Sequence, residues 1–315
     1  MTLKVAILGI GNMGKNHLRV LSMLRGVEVT NIFDFNKEQL IKLSEQYQVP
    51  YTTDANIAIE GVDAVVIVTP TSTHFDYFTL CAGKVKNVFI EKPLAQTLEQ
   101  GLKIKELAIK HNMFIQCGFI ERFNPVVSEL KRVLENEEVI NIDFSRTNRL
   151  SSRITDVDVV LDLMIHDIDL ALYLNGPVKS VVAHGKEEHG LVAFASALLH
   201  HENGSLSRVL ASRMTEKKQR SIQVTTTGAY IDAELVRKEL VVHKQSTMTQ
   251  EEGKPYIVSS LEQQIEVKPQ EALLVEHQAF IAACNGNISN ELPTIDSGVD
   301  SLKISELILE QIHNA

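Results

Sequence analysis

Asp158, Asp162, His166 and Asp169 stand at i, i+4, i+8 and i+11 in a chain stretch that is otherwise strongly apolar. At helical pitch those four residues form one narrow polar stripe. Leu161, Leu163, Met164, Ile165, Ile168 and Leu172 occupy much of the remaining helix surface, and Asp167 stands off the stripe. An imidazole and a carboxylate one turn apart, Asp162 and His166, could act on one bound hydroxyl. A histidine with an ordinary pKa of ~6.5 removes a proton near neutrality, and a neighbouring carboxylate orients it or binds an adjacent hydroxyl. The same stripe also suits a plain amphipathic helix with its polar face in water. The elements around this stretch decide between the two.

A second constellation opens the chain. "GIGNMG", Gly9 to Gly14, comes directly after a strand-like run and opens a helical pattern. In that setting Gly9 permits a tight turn, Gly11 lets a pyrophosphate approach the backbone beside Asn12 and Met13, and Gly14 allows close helix packing. Asp34, at the end of the next strand-like run, would accept hydrogen bonds from a ribose diol and repel a 2′-phosphate, which favours NAD over NADP. Lys37 nearby works against that preference. "VTPTSTH" (68–74) and "IEKPL" (90–94) each close an apolar run. In an open parallel sheet such strand ends line the ligand crevice. Taken alone, each reads equally as a turn or a solvated strand end.

Periodicity identifies the positioning elements. Up to about residue 118, strand-length apolar runs alternate with amphipathic stretches such as 37–47 and 97–111, the pattern of a doubly wound parallel sheet. After "RFNP" come one short helix, the strand "EVINIDFSR", the Asp/His helix and then a succession of β-rich segments. That order predicts a mainly antiparallel sheet with helices on one face. The expected fold class is α/β, with a Rossmann domain over residues 1–120 and a second α/β domain over 121–315. With 315 residues, 44% hydrophobic and 23% charged, the chain suits an ordinary globular protein. A net charge of -9 without a basic run argues against nucleic-acid or membrane binding. Cys81, Cys117 and Cys284 are widely spaced and read as reduced structural thiols, and no metal-ligand spacing is present. The opening apolar run is too short for a signal peptide, so cytoplasm is expected.

In their order and separations "GIGNMG", "VTPTSTH", "EKP", "GFIERFNP" and "DLMIHDID" resemble the Gfo/Idh/MocA family of NAD(P)-dependent sugar and polyol oxidoreductases, over essentially the whole chain. The resemblance implies a large open C-terminal sheet that commonly mediates homodimers or homotetramers. It implies catalytic positions at Lys92, Asp162 and His166. In that set His166 is the base, Lys92 supplies charge and a hydrogen bond to the alkoxide, and Asp162 orients His166 or binds a neighbouring hydroxyl. It further implies that Glu91 approaches the nicotinamide ribose and that Thr69, Pro70 and His74 form the cofactor-side loop. Within the family, "GFIERFNP" and "SSRITDVDVVLDLMIHDIDLAL" look most like enzymes oxidising the 3-hydroxyl of UDP-N-acetylglucosamine for lipid A synthesis. Such a substrate brings a diphosphate to a chain of net charge -9, so local cations are needed. Arg146, Arg149 and Arg153 precede the Asp/His helix, and Arg149 or Arg153 is expected at the diphosphate. The plainer alternative pairs these arginines with Asp156 and Asp158 or leaves them exposed. An inositol or simple-sugar dehydrogenase, or a non-catalytic NAD-sensing regulator, are the rival functions.

Overall fold

The computed structural model describes residues 2–148, 157–249 and 257–314. Two compact units divide the chain, Met1–Ile120 with Glu271–Lys303 and Glu121–Gln270 with Ile304–Ala315. In the first unit the apolar runs become β1 (Leu3–Leu8), β2 (Val27–Phe33), β3 (Tyr51–Thr52), β4 (Ala64–Ile67), β5 (Asn87–Glu91) and β6 (Phe114–Gly118). They pair in parallel in the order β3-β2-β1-β4-β5-β6. Every residue of β4 and β5 is buried, as befits parallel strands covered on both faces. Between them lie α1 (Asn12–Met23), α2 (Lys37–Tyr47), the short α3 (Ala55–Ala58), α4 (His74–Cys81) and α5 (Leu98–Lys110). The side chains of Asn36 and Thr97 cap α2 and α5 by accepting from the Gln39 and Gln100 backbone N–H groups, donors that a helix start otherwise leaves unpaired. Chain order reverses beside β1, which opens a crevice at the carboxyl ends of β1 and β4.

The second unit comprises α6 (Pro125–Leu134), β7 (Val139–Thr147), a π-helical turn (Val160–Met164) running into α7 (Ile165–Asn175), then β8 (Val178–Glu188), β9 (Leu191–His201), β10 (Leu206–Ser212), β11 (Gln219–Thr226), β12 (Ala229–Glu234), β13 (Glu239–Thr249) and β14 (Ile257–Ile265). The strands make one sheet in the order β14-β13-β12-β11-β7-β10-β9-β8, antiparallel except where β10 pairs with β7. Burial alternates along them. Ile222 and Val224 of β11, and Ala229, Ile231 and Ala233 of β12, face a core shared with Val126 and Leu130 of α6 and Ile168 and Ala171 of α7. Strand-like runs in the sequence do not announce the outermost strand β14, and its polar composition is what an edge strand tolerates.

The last two helices, α8 (Ala272–Cys284) and α9 (Ile295–His313), complete the chain. Here the structure corrects the expectation that residues 121–315 form one domain, because Glu271–Lys303 belongs to the first unit. The cause is the apolar character of α8. Its Phe280 lies edge-on to Phe89 at 5.6 Å and stacks on Phe114 at 6.3 Å, and the Cys117 N–H donates to the Pro293 carbonyl at 2.8 Å. From Ile304 onward α9 joins the second unit, where Ile304 and Ile308 enter its core. No described helix is long and apolar enough to cross a membrane. None of the three cysteines is in a disulfide, and burial pushes the thiols of Cys81 and Cys284 up to about 12.

Candidate active site

The glycine loop that joins β1 to α1 borders a cavity of about 570 Å³ in the first unit. Gly9 has φ +94°, and a Cβ there would lie 2.7 Å from the Val68 carbonyl. At Gly14 a Cβ would lie 2.1 Å from the Gly9 oxygen, so α1 leaves the loop as closely as backbone permits. Gly11 differs: a Cβ there would meet nothing within 4 Å, and the residue lines the cavity. Met13 also lines it, while Asn12 is exposed at the start of α1. Asp34 closes β2 and ties the loop together, accepting from the Ile10 N–H at 2.8 Å and the Asn36 N–H at 2.9 Å through separate oxygens.

The opposite wall comes from the ends of β4 and β5. Thr69, Pro70, His74, Glu91 and Lys92 all line the cavity. His74 is buried, with Nε2 2.9 Å from the Thr69 carbonyl and Nδ1 2.9 Å from that of Pro93. It therefore acts as a strut between the two loops that the sequence singled out separately. Burial pushes its imidazole below the ordinary value despite those carbonyls. Glu91 accepts from the Lys92 N–H at 3.1 Å and lies 2.8 Å from His17 Nε2. Sequence reasoning did not single out five further lining residues, Phe33, Phe35, Val68, Thr73 and Tyr77. Adjacency to Asp34 and helical spacing from His74 were the available signals.

In the second unit the stripe of four polar residues does not survive intact. Asp162 and His166 are half-buried, whereas Asp169 is buried and holds Arg122 by two hydrogen bonds of 2.6 and 2.8 Å. The π turn explains the change: one extra residue in a turn rotates the downstream residues by about 100° relative to an uninterrupted α-helix. Asp158 stays at the start, accepting from the Val160 and Leu161 N–H groups at 2.8 and 3.0 Å. Asp162 pairs with Arg213 at 2.9 Å. That arginine also donates to the Val157 and Asp158 carbonyls, a partner 51 residues from Asp162 that no local pattern announces. Arg146 is buried between Asp167, at 2.7 and 2.8 Å, and Glu121, at 2.8 Å, which removes it from the candidate phosphate ligands. Burial pushes the Glu121 carboxyl up, but Arg146 and Arg220 outweigh it and hold it below the usual range. Arg149 and Arg153 lie outside the described residues.

Comparison with known proteins assigns both units. Residues 3–119 match the family described as the oxidoreductase family with NAD-binding Rossmann fold, and residues 139–232 match the GFO/IDH/MocA C-terminal domain. The chain belongs to the Gfo/Idh/MocA family. It is thus an NAD-dependent oxidoreductase, and the cavity suits that cofactor. Gly11 leaves open space where a side chain would block the pyrophosphate, and the carboxylate oxygens of Asp34 keep lone pairs beyond those taken by the loop. Among the described lining residues the only lysine or arginine is Lys92. Within this family, the chain is 24% identical over 317 residues to UDP-N-acetylglucosamine 3-dehydrogenase of Acidithiobacillus ferrooxidans, covering 98% of this chain and 96% of that one. It is 28% identical to the NAD-dependent scyllo-inositol 2-dehydrogenase of Bacillus subtilis over 67% of each chain. The solved structure of the Acidithiobacillus enzyme superimposes with a TM-score of 0.89 at 22% identity, covering 100% and 99% of the two chains.

Proposed function

We propose that this protein oxidises a secondary hydroxyl of a sugar, specifically the 3-hydroxyl of UDP-N-acetylglucosamine. The observation that carries the substrate is the end-to-end match, 98% and 96% of the two chains, to an enzyme named for that reaction. The scyllo-inositol enzyme is matched over 67% of each chain, which supports a polyol as the second reading.

Chemistry divides the work among few groups. NAD, when bound, supplies the hydride acceptor. His166, half-exposed, takes the hydroxyl proton. Lys92, at the wall of the cofactor cavity, stabilises the oxygen as it becomes negative. Asp162 is held by Arg213 and so keeps one orientation towards His166 or a substrate hydroxyl. Keeping a base, an ammonium and a carboxylate at these three positions argues against a purely cofactor-sensing protein. The mainly antiparallel sheet is assigned to self-association in the same proposal.

Arg149 and Arg153 are assigned to the diphosphate, since Arg146 is committed to Asp167 and Glu121. Purified protein with NAD is offered UDP-N-acetylglucosamine, other nucleotide sugars, inositols and simple sugars, and cofactor reduction is measured by absorbance. Turnover with the UDP-sugar is expected, with Arg149→Ala/Arg153→Ala raising its KM by ~10-fold or more while the KM for NAD changes little. Ready oxidation of inositol with no response to any UDP-sugar selects the second reading.

A further inference from the structure

A buried row of three titratable side chains runs inward from the cofactor cavity. His17 on α1 and His277 on α8 are both fully buried. Glu91 Oε1 lies 2.8 Å from His17 Nε2, and His17 Nδ1 lies 2.7 Å from His277 Nε2. The far atom, His277 Nδ1, is buried with no hydrogen-bond partner among the described residues. At the cavity end the second Glu91 oxygen accepts from the Lys92 backbone N–H at 3.1 Å. Gly118 makes room for this carboxylate, since a Cβ there would stand 3.0 Å from Glu91 Oε2.

With Glu91 Oε2 engaged by the Lys92 N–H and His277 neutral, three placements of the protons are consistent with these distances. A neutral Glu91 donating inward forces His17 to donate to His277 and leaves an N–H on His277 Nδ1 with nothing to accept it. A doubly protonated His17 leaves the same orphaned donor. In the third, an ionised Glu91 accepts from His17 Nε2–H, His17 Nδ1 accepts from His277 Nε2–H, and the chain ends on a lone pair. An orphaned buried N–H is rarer and costlier than an unfilled acceptor, so the third placement is favoured. Burial, together with His17, holds His277 well below the ordinary imidazole value, in keeping with a neutral ring.

We infer that His17 and His277 form a one-way donor chain that keeps Glu91 ionised at the cavity wall, and that this charge favours oxidised over reduced nicotinamide. The inference rests on the NAD-binding reading of the cavity. Asp34 ends β2 and Glu91 ends β5, on opposite sides of the glycine loop at the end of β1. A dinucleotide whose adenine ribose meets Asp34 directs its other half toward the Glu91 side. The oxidised nicotinamide ring is a cation and the reduced ring is neutral, so a nearby carboxylate discriminates between them. His17 and His277 are positioning residues in this scheme, acting through Glu91.

The two imidazoles are also held by packing, each with its ring centroid 5.4 Å from that of Phe89, which separates shape from hydrogen bonding in the test. Ring-nitrogen NMR of the cofactor-free protein, with signals assigned by substitution, is expected to show Nε2–H and an unprotonated Nδ1 on both residues. A doubly protonated His17, or the opposite tautomer, overturns the inference. Calorimetric Kd values for NAD and NADH then compare wild type, His17→Phe and His17→Gln. His17→Phe keeps a ring against Phe89 but no donor, so Glu91 loses the inward hydrogen bond that favours its charge. Relative affinity should shift about fivefold to tenfold toward NADH. His17→Gln, which retains a donor, should recover most of that ratio. An unchanged ratio in folded His17→Phe, or equal shifts in both variants, reduces the row to packing. Should wild type bind neither cofactor, the NAD reading fails, while the tautomers still report on the chain.

Discussion

Asp34 shows how one side chain serves both loop and ligand. Its two oxygens already hold the Ile10 and Asn36 N–H groups, so the negative charge is fixed in place at the cavity rim. A 2′-phosphate brought to that rim meets like charge with no lysine or arginine among the described lining residues besides Lys92. Wild-type protein should therefore bind NAD more tightly than NADP, and Asp34→Ser should narrow the gap by ~10-fold, read as the ratio of the two Kd values. Equal wild-type affinities would refute the role given to Asp34. Lys92 and His166 call for a different measurement, because their proposed roles belong to the reacting hydroxyl. Lys92→Met and His166→Asn should each lower kcat by ~10²-fold or more while leaving the Kd for NAD and the unfolding midpoint near wild type. Normal turnover in a folded Lys92→Met protein would instead favour a cofactor-sensing function.

At the scale of elements, the π turn at Val160–Met164 matters most, because it sorts the helix's carboxylates by destination. Asp167 and Asp169 turn inward to Arg146 and Arg122, and Asp162 stays half-buried against Arg213. Uniform α pitch places Asp169 on the same stripe as Asp158, which is why sequence periodicity alone could not separate them. The inward pairs anchor α7 to β7 and to the segment before α6. Arg146 is the centre of that anchor, since it faces two carboxylates at 2.7 and 2.8 Å. Replacing it with methionine leaves Asp167 and Glu121 buried without their shared counter-charge. Arg146→Met should cost about 3–5 kcal/mol in urea unfolding. A loss below about 1 kcal/mol would mean that solvent or Arg220 already compensates these carboxylates.

For the molecule as a whole, buried neutral histidines set the response to acid. His74 and His277 are both held below the ordinary imidazole value, chiefly by burial. Below pH ~6.5 the unfolded chain takes up protons at these positions and the folded chain does not, so stability falls as pH drops from there toward the folded values. Each site contributes a slope of up to about 1.4 kcal/mol per pH unit. Urea midpoints measured at about pH 7.5 and about pH 5.5 should be lower at the acid value, and His277→Gln should reduce the difference. A midpoint that rises on acidification would show that other groups dominate.

Local pattern was enough for much of this protein. The alternation of strand and helix signals, the spacing of Gly9, Gly11 and Gly14, the acidic end of β2 and the Asp162/His166 pair all arise from interactions within a few residues, so they are written in short windows of sequence. Tertiary structure alone decided the partners: His17 with Glu91 and His277, Arg213 with Asp162, Arg146 with Asp167 and Glu121, and α8 with the first unit. These pairings join residues from 21 to 260 positions apart. They depend on strand register, on the phase a π turn gives a helix and on where an apolar helix finds its core, quantities that exist only once the chain has folded.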